Sequence, residues 1–256
     1  MPVDFEVRNK VAYVTLNRPE AMNALDPESI AQLAEIWAEV KSNPDIRVSV
    51  LSGAGPKAFC TGTDMKKFPP PTECMAATYL RDGQAILPAM KMWKPIIAAI
   101  NGFAIGGGLE IALACDLRIA SSNSKFGLTE VKVASLAGLN GTQTLPRAIP
   151  QAIAMKMLLT GEMITAEQAL HYGLVSDVVA PEDLPGLATE LAEKIAGAAP
   201  LSVQAAKQTA VLGLDMPLDH GILYAHLMWG LLRDTEDRKE GFKAFTEKRP
   251  PAYRGT

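Results

Sequence analysis

The spacing of apolar positions changes several times along the chain, and each change marks an element. Val11-Ala12-Tyr13-Val14-Thr15-Leu16 follows Phe5-Glu6-Val7 across the turn residues Arg8-Asn9-Lys10, so the chain is expected to open with a β-hairpin. Asp26 then stands before Pro27, and Ile30, Leu33, Ile36, Trp37 and Val40 recur at helical spacing, the pattern of an N-capped amphipathic helix. Arg47 to Gly53 reads as a short apolar strand ending in a turn. After a Gly- and Thr-containing loop from Cys60 to Lys67 and three prolines at 69–71, the pattern predicts a second helix from Glu73 to Met92 and a buried strand from Pro95 to Ile100. A short helix around Leu109 to Ala114 and a strand from Cys115 to Ala120 complete a second strand–strand–helix turn, which suggests stacked ββα units. Beyond Thr142 the strand signal nearly vanishes, Leu174 to Val179 excepted. Helical spacing covers Gln151–Leu159, Thr165–His171, Pro185–Ala196, Leu201–Leu212 and Pro217–Arg233. The fold class is therefore α/β with a helical tail, and a boundary is expected near Ala196 to Pro200.

Composition narrows the function classes. The 256 residues carry 25 Lys plus Arg against 28 Asp plus Glu, a net charge of −3, which gives no global reason to hold nucleic acid. No run of about eighteen apolar residues suits a membrane span, and Met1 to Glu6 lacks the basic start of a signal peptide. Cys60, Cys74 and Cys115 have neither disulfide-framework nor metal-ligand spacing, and His171, His220 and His226 lack partnering patterns, so no metal is expected. A cytoplasmic protein that binds neither membrane nor nucleic acid is the expectation. Aromatic residues are only 6% while glycines number 20, so the chemistry is sought first where the glycines cluster.

Gly106-Gly107-Gly108 follows a buried strand and opens a helix, a position where free backbone N–H groups stabilise negative charge. Neither a dinucleotide fingerprint nor a P-loop fits, because Ile111 stands where a third spaced glycine is needed and no Gly-Lys-Ser/Thr follows. No G-x-S-x-G elbow is present. Glu110 lies in the otherwise apolar run Leu109 to Cys115, where a carboxylate must be solvated, paired or functional. Glu130 follows twenty residues later, after Phe126-Gly127-Leu128-Thr129. Two carboxylates beside an anion-favouring backbone can hold a water and move protons next to a carbonyl.

These residues resemble the enoyl-CoA hydratase/isomerase (crotonase) superfamily. The resemblance rests on Asn101 to Glu110 with Ala114-Cys115-Asp116, on Ala58 to Met65, on Phe126 to Glu130, and on Gly141-Thr142-Gln143. Asn17-Arg18-Pro19 with Asn23-Ala24-Leu25, Leu159-Thr160-Gly161 and Phe245 to Arg249 extend it over almost the whole chain in order. It implies a crotonase-like spiral of ββα units with a C-terminal helical trimerisation region. Residues 1–196 would form the core carrying the site; residues 197–256 would serve oligomerisation and part of the coenzyme A site. It also implies a homo-trimer or a hexamer built as a dimer of trimers, and no separate cofactor, since coenzyme A enters as the substrate thioester.

By the same resemblance, the backbone N–H groups of Thr63 and Gly107 form an oxyanion hole. Glu110 and Glu130 are the acid/base pair that adds water syn to a 2-enoyl-CoA, and the Gly138 N–H helps orient that water. Met22, Ala24, Leu25, Asp64, Met65 and Lys66 would line the coenzyme A path, and Lys66, Lys67, Lys248 and Arg249 are candidates for its phosphates. The acyl pocket would draw on Tyr79, Leu80, Ile86, Leu87 and Met90. The sequence departs from the family at Thr129, where Pro commonly precedes the second glutamate, and at Asn140, where Gly is common. The acyl group is then expected to differ from a short straight chain, or the reaction to be a Δ3,Δ2-enoyl-CoA isomerisation. A non-catalytic acyl-CoA-binding subunit is a further alternative, which would call for a lost glutamate or nest glycine; neither is lost.

Overall fold

A computed structural model describes residues 1–68 and 86–256. The expected hairpin is formed by β1 (Val3–Arg8) and β2 (Val11–Leu16), paired antiparallel about Asn9 and Lys10, both in the left-handed conformation that matches the strands' twist. Asp26 caps α1 (Pro27–Ser42) through the Ser29 N–H at 2.9 Å, as its spacing before Pro27 predicts. Then come β3 (Val48–Gly53), β4 (Ala58–Cys60), α2 (Ile86–Met90), β5 (Ile96–Ile100) and β6 (Phe103–Ile105). They are followed by α3 (Gly107–Ala114), β7 (Leu117–Ser121) and β8 (Lys125–Gly127). Most of the expected second helix, with Cys74, Tyr79 and Leu80, lies outside the described residues.

The ββα reading is realised as two sheets filled alternately. The first strand of each unit enters a sheet ordered β1-β2-β3-β5-β7-β10, parallel from β2 onward; the second enters a smaller sheet ordered β4-β6-β8-β9. Both faces of the large sheet are covered, so β5 is a continuous apolar run and β3 is buried from Val48 to Leu51, Ser49 included. On one face Val48, Val50, Ile97 and Ile119 pack against helix α7 (Leu184–Gly197), a smaller core. On the other face Trp37 and Leu33 of α1, Phe59 of β4 and Leu109 of α3 meet in the main core. The small sheet is what sequence pattern alone does not predict: β6, β8 and β9 (Ile164–Thr165) are two or three residues long, too short to establish a period.

The second half is helical: α4 (Gly141–Ala148), α5 (Gln151–Thr160), α6 (Ala166–His171), α7, α8 (Pro200–Gly213), α9 (Leu218–Leu232) and α10 (Glu236–Glu247), with β10 (Asp177–Val179) between α6 and α7. Helix α4 contains Pro146 and has no counterpart in the pattern reading, because a proline there signals a break. The last helices are fastened to the core. Lys207 of α8 reaches Asp116 at 2.7 Å, and Arg47 beside β3 donates to the Ala196 carbonyl at 2.8 Å and the Tyr253 carbonyl at 2.6 Å. Among the described residues no helix is long and apolar enough to cross a membrane, and no cluster of metal-binding side chains occurs.

The first turn of α3 meets the end of β4 without room for a side chain: a Cβ on Gly108 would overlap the Cys60 carbonyl. Gly108→Ala is expected to destabilise the fold by about 3 kcal/mol, since only a backbone shift relieves the overlap. Urea unfolding measures this as a lowered midpoint at unchanged slope.

Candidate active site

The site lies where the small sheet ends. Chain leaving β4 passes Gly62, whose φ of +83° favours glycine and where a Cβ would stand 2.9 Å from the Gly107 nitrogen. The next residues run beside Leu25 as an isolated parallel bridge: Leu25 N–H donates to Gly62 O at 2.7 Å, and Asp64 N–H donates to Leu25 O at 2.8 Å. A parallel rung of this kind engages both neighbours of Thr63, so the Thr63 N–H points to the opposite side. Gly107 is the first residue of α3, where a helical N–H has no partner within the helix. Among the described residues neither the Thr63 nor the Gly107 N–H meets a backbone or side-chain acceptor. The fold therefore brings two unpaired donors together across the Gly62–Gly107 contact, one of them at the positive end of a helix dipole.

Glu110 stands one turn into α3 and is 2% exposed. Its Oε1 accepts the Gly141 N–H at 2.7 Å, and the Leu139 N–H also favours its charged form. Burial outweighs these donors and, with the nearby Glu130 charge, pushes its pKa up to about 7. Glu130 begins a 3-10 turn (Glu130–Val133) after β8. Its Oε1 lies 3.0 Å from where a Cβ on Gly106 would stand, beside the same helix N-terminus. Its Oε2 is buried with no hydrogen-bond partner among the described residues, and burial raises its pKa as well. Two carboxyl groups whose pKa values burial raises, beside two free N–H donors, can take up and release protons.

Beside Glu130 opens a cavity of about 320 Å³. Its walls are Leu128, Val131, Leu136, Met155 and Leu158, and Thr142 and Glu130 are its polar side chains. The Leu139 side chain stands over the Gly107 donor, with its Cδ1 3.4 Å from the position of a Cβ there.

The other expected site residues differ in exposure and in partners. Gly138 is exposed in the loop three residues before Gly141, which carries the observed bond to Glu110. Gly141 was legible only as a family match; its signal is the small residue opening a helix beside a buried carboxylate. Met22 is left-handed at the end of the 3-10 turn Pro19–Ala21, and Ala24 and Leu25 follow it along the bridge to Thr63. Met65, Lys66, Lys67 and Lys248 are exposed. Asp64 and Arg249 are committed to the protein. The Asp64 carboxylate receives Arg18 at 2.9 Å and the Lys66 N–H at 3.2 Å, so it braces the loop. Arg249 is spread over Glu240, at 2.6 Å and 2.9 Å, and Glu247 at 2.7 Å, so a phosphate would have to compete with two carboxylates for it. Of the expected acyl-pocket residues, Leu87 and Met90 are buried in the main core.

Comparison with known proteins agrees with this geometry. The family profile described as enoyl-CoA hydratase/isomerase matches residues 6–256. The chain is 81% identical over 255 residues to (E)-benzylidenesuccinyl-CoA hydratase of Thauera aromatica, covering 100% of both chains. It is 37% identical over 248 residues to short-chain-enoyl-CoA hydratase of Clostridium acetobutylicum, covering 96% of this chain and 95% of that one. A crystal structure of enoyl-CoA hydratase from Bacillus anthracis superposes with a TM-score of 0.94 at 37% identity, covering 100% of each chain.

Because Glu110 is raised from 4.5 to about 7 in the fold, its contribution to stability is intact below pH 4.5 and is lost as pH climbs through 7. Glu110→Gln removes that ionisation while keeping an acceptor for Gly141. Relative to the parent, the variant is expected to gain roughly 2–3 kcal/mol of unfolding free energy between pH 5 and pH 8. Urea titrations at both pH values read this directly; a pH-independent difference would place the ionisation elsewhere.

Proposed function

The chain belongs to the enoyl-CoA hydratase/isomerase family, and from this premise we propose that it hydrates an aryl-substituted 2-enoyl-CoA of the benzylidenesuccinyl-CoA type. It is a hydratase of acyl-CoA thioesters, a carbon–oxygen lyase. The aryl substrate rests chiefly on 81% identity across the full length to a hydratase named for that substrate. The aliphatic cavity of about 320 Å³ beside Glu130 supports it, having volume for a phenyl ring and few polar atoms. The expectation that Thr129 and Asn140 mark an unusual acyl group agrees with this reading.

In the mechanism we assign, the thioester oxygen lies between the Thr63 and Gly107 N–H groups. Ionised Glu110, held by Gly141, accepts a hydrogen bond from the water, and the Gly138 N–H is the water's second guide. As the water oxygen bonds to the β-carbon, the π electrons of the double bond move onto the thioester oxygen, where both donors stabilise the enolate. Protonated Glu130 delivers its proton to the α-carbon, and the proton released by the water restores Glu130. The net change is H on the α-carbon and OH on the β-carbon, on the face shared by both glutamates. Isomerisation needs only one carboxylate, so the pairing of Glu110 with Glu130 favours hydration.

We further infer a cytoplasmic enzyme that needs no separate cofactor, with a core over 1–196 and an assembling region over 197–256. Leu218, Leu227 and Leu231 of α9 and Phe245 of α10 expose 61–83% of their surface, an apolar face that supports a trimer or a hexamer of two trimers. Lys66, Lys67 and Lys248, exposed and in no salt bridge among the described residues, are the stronger candidates for the coenzyme A phosphates.

Purified protein is expected to hydrate (E)-2-benzylidenesuccinyl-CoA with kcat/KM at least about tenfold above that for crotonyl-CoA, a difference of about 1.4 kcal/mol. Glu130→Gln should lower kcat on both by about a thousandfold or more. Loss of conjugated-thioester absorbance follows both reactions. Turnover of crotonyl-CoA alone would remove the aryl assignment, and turnover of neither would remove the hydratase mechanism.

A further inference from the structure

Arg18 is a charged side chain that touches both strands of the Leu25–Thr63 bridge, and its role is not explained by charge balance at a surface. The side chain is 15% exposed and lies between two carboxylates, Asp64 at 2.9 Å and Asp26 at 3.5 Å. Its Nη1 donates to the Ala24 carbonyl at 2.6 Å while Nη2 donates to Asp64 Oδ2. One planar group thus spans residue 24 on one side of the bridge and residue 64 on the other. Asp64 passes the restraint onward, because its second oxygen accepts the Lys66 N–H at 3.2 Å and closes the turn that follows Thr63. Arg18 is itself fixed through the buried Asn23. The Arg18 N–H donates to Asn23 Oδ1 at 3.0 Å, and Asn23 Nδ2 donates to the Ala58 and Ala54 carbonyls at 2.7 Å and 3.0 Å, tying the assembly to β4 and the end of β3.

The geometry calls for such a brace. The backbone rung, Leu25 to Gly62 O and Asp64 to Leu25 O, is joined before Thr63 by the Thr61 hydroxyl, which donates to the Met22 carbonyl at 3.3 Å. Beyond Thr63 no backbone rung continues among the described residues, and rolling of the segment there would swing the Thr63 N–H away from the Gly107 N–H. A guanidinium can hold two acceptors in one plane at a fixed separation; an ammonium in the same place is a point charge and cannot.

We propose that Arg18 is a positioning residue for the oxyanion hole, setting the direction of the Thr63 N–H by bridging Ala24 and Asp64. The proposal rests on the assignment of Thr63 and Gly107 as the donors to the thioester oxygen. It accounts for the carboxylate of Asp64, which faces Arg18 and not the ligand path, and it separates two functions on one loop: Asp64 sets the direction of the donor that Thr63 supplies.

The test uses the full-length protein with Arg18→Lys and, as a milder isosteric change, Asp64→Asn. Crotonyl-CoA hydration gives kcat and KM. Difference infrared spectra of bound butyryl-CoA, carrying 13C at the thioester carbon, report how strongly the hole polarises the carbonyl. Arg18→Lys is expected to lower kcat about tenfold to a hundredfold with KM changed by less than about threefold, and to shrink the carbonyl downshift on binding to about half or less. Asp64→Asn should move both quantities in the same direction by a smaller factor. A full-sized downshift in the variants would overturn the proposal, whatever happens to their stability, because a merely structural role does not reach the carbonyl. If the parent protein itself shows no downshift, the oxyanion assignment of Thr63 and Gly107 fails first.

Discussion

Two stretches of backbone meet at the centre of this molecule with no side chain between them. Gly62, at the end of the β4 segment, lies against Gly107 at the start of α3, and the neighbouring Gly108 packs on the Cys60 carbonyl. Such contact is available only where the chain has no Cβ, and it is what lets N–H groups from segments 44 positions apart (107 − 63) point into one place. The two-sheet spiral serves this contact. β4, β6 and β8 lie side by side in the small sheet, so the ends of three successive units, carrying Gly62, Gly106 and Glu130, are delivered to one edge.

The same packing explains the behaviour of the two carboxylates. Helix α3 is apolar and buried, so a glutamate on it must ionise at the expense of desolvation, and the Gly141 and Leu139 N–H groups offset only part of that. Glu130 is offered less: one of its oxygens has no partner among the described residues. A pair left this far from full satisfaction is unfavourable for stability and suited to proton transfer with a bound molecule, because burial holds the pKa of each carboxyl above its ordinary value. The apolar cavity on the Glu130 side continues from this buried edge toward solvent, with Leu136 and Met155 among its exposed walls.

Much of this was legible in the sequence, for physical reasons that differ by element. The Asn9-Lys10 turn, the Asp26-Pro27 helix start and the apolar strands β3 and β5 carry local signals, and each is found where those signals place it. The small sheet is set by tertiary pairing of segments too short to show a period, and α4 forms in spite of Pro146. At the site, Glu110 was conspicuous as a charge in an apolar helix, whereas Glu130 has no such local signal and stood out only beside Glu110 and through the family motif Phe126 to Glu130. Gly141 was recognisable only as part of a family motif, and the bracing role of Arg18 was invisible, since an arginine in a loop has no local signature for the carbonyl it will meet. The partners of Asp64 and Arg249 were invisible for a related reason: type and position suggest a place on the ligand path, but nothing local shows that Asp64 meets Arg18 and Arg249 meets Glu240.

The central claim is that both glutamates act from one face of a thioester polarised by Thr63 and Gly107. It is tested most directly by hydrating crotonyl-CoA in D2O and determining the relative configuration of the product by NMR. Delivery from one face predicts a single diastereomer with deuterium on the α-carbon syn to the β-hydroxyl. Anti placement, or a mixture of α-epimers at early times, would contradict it.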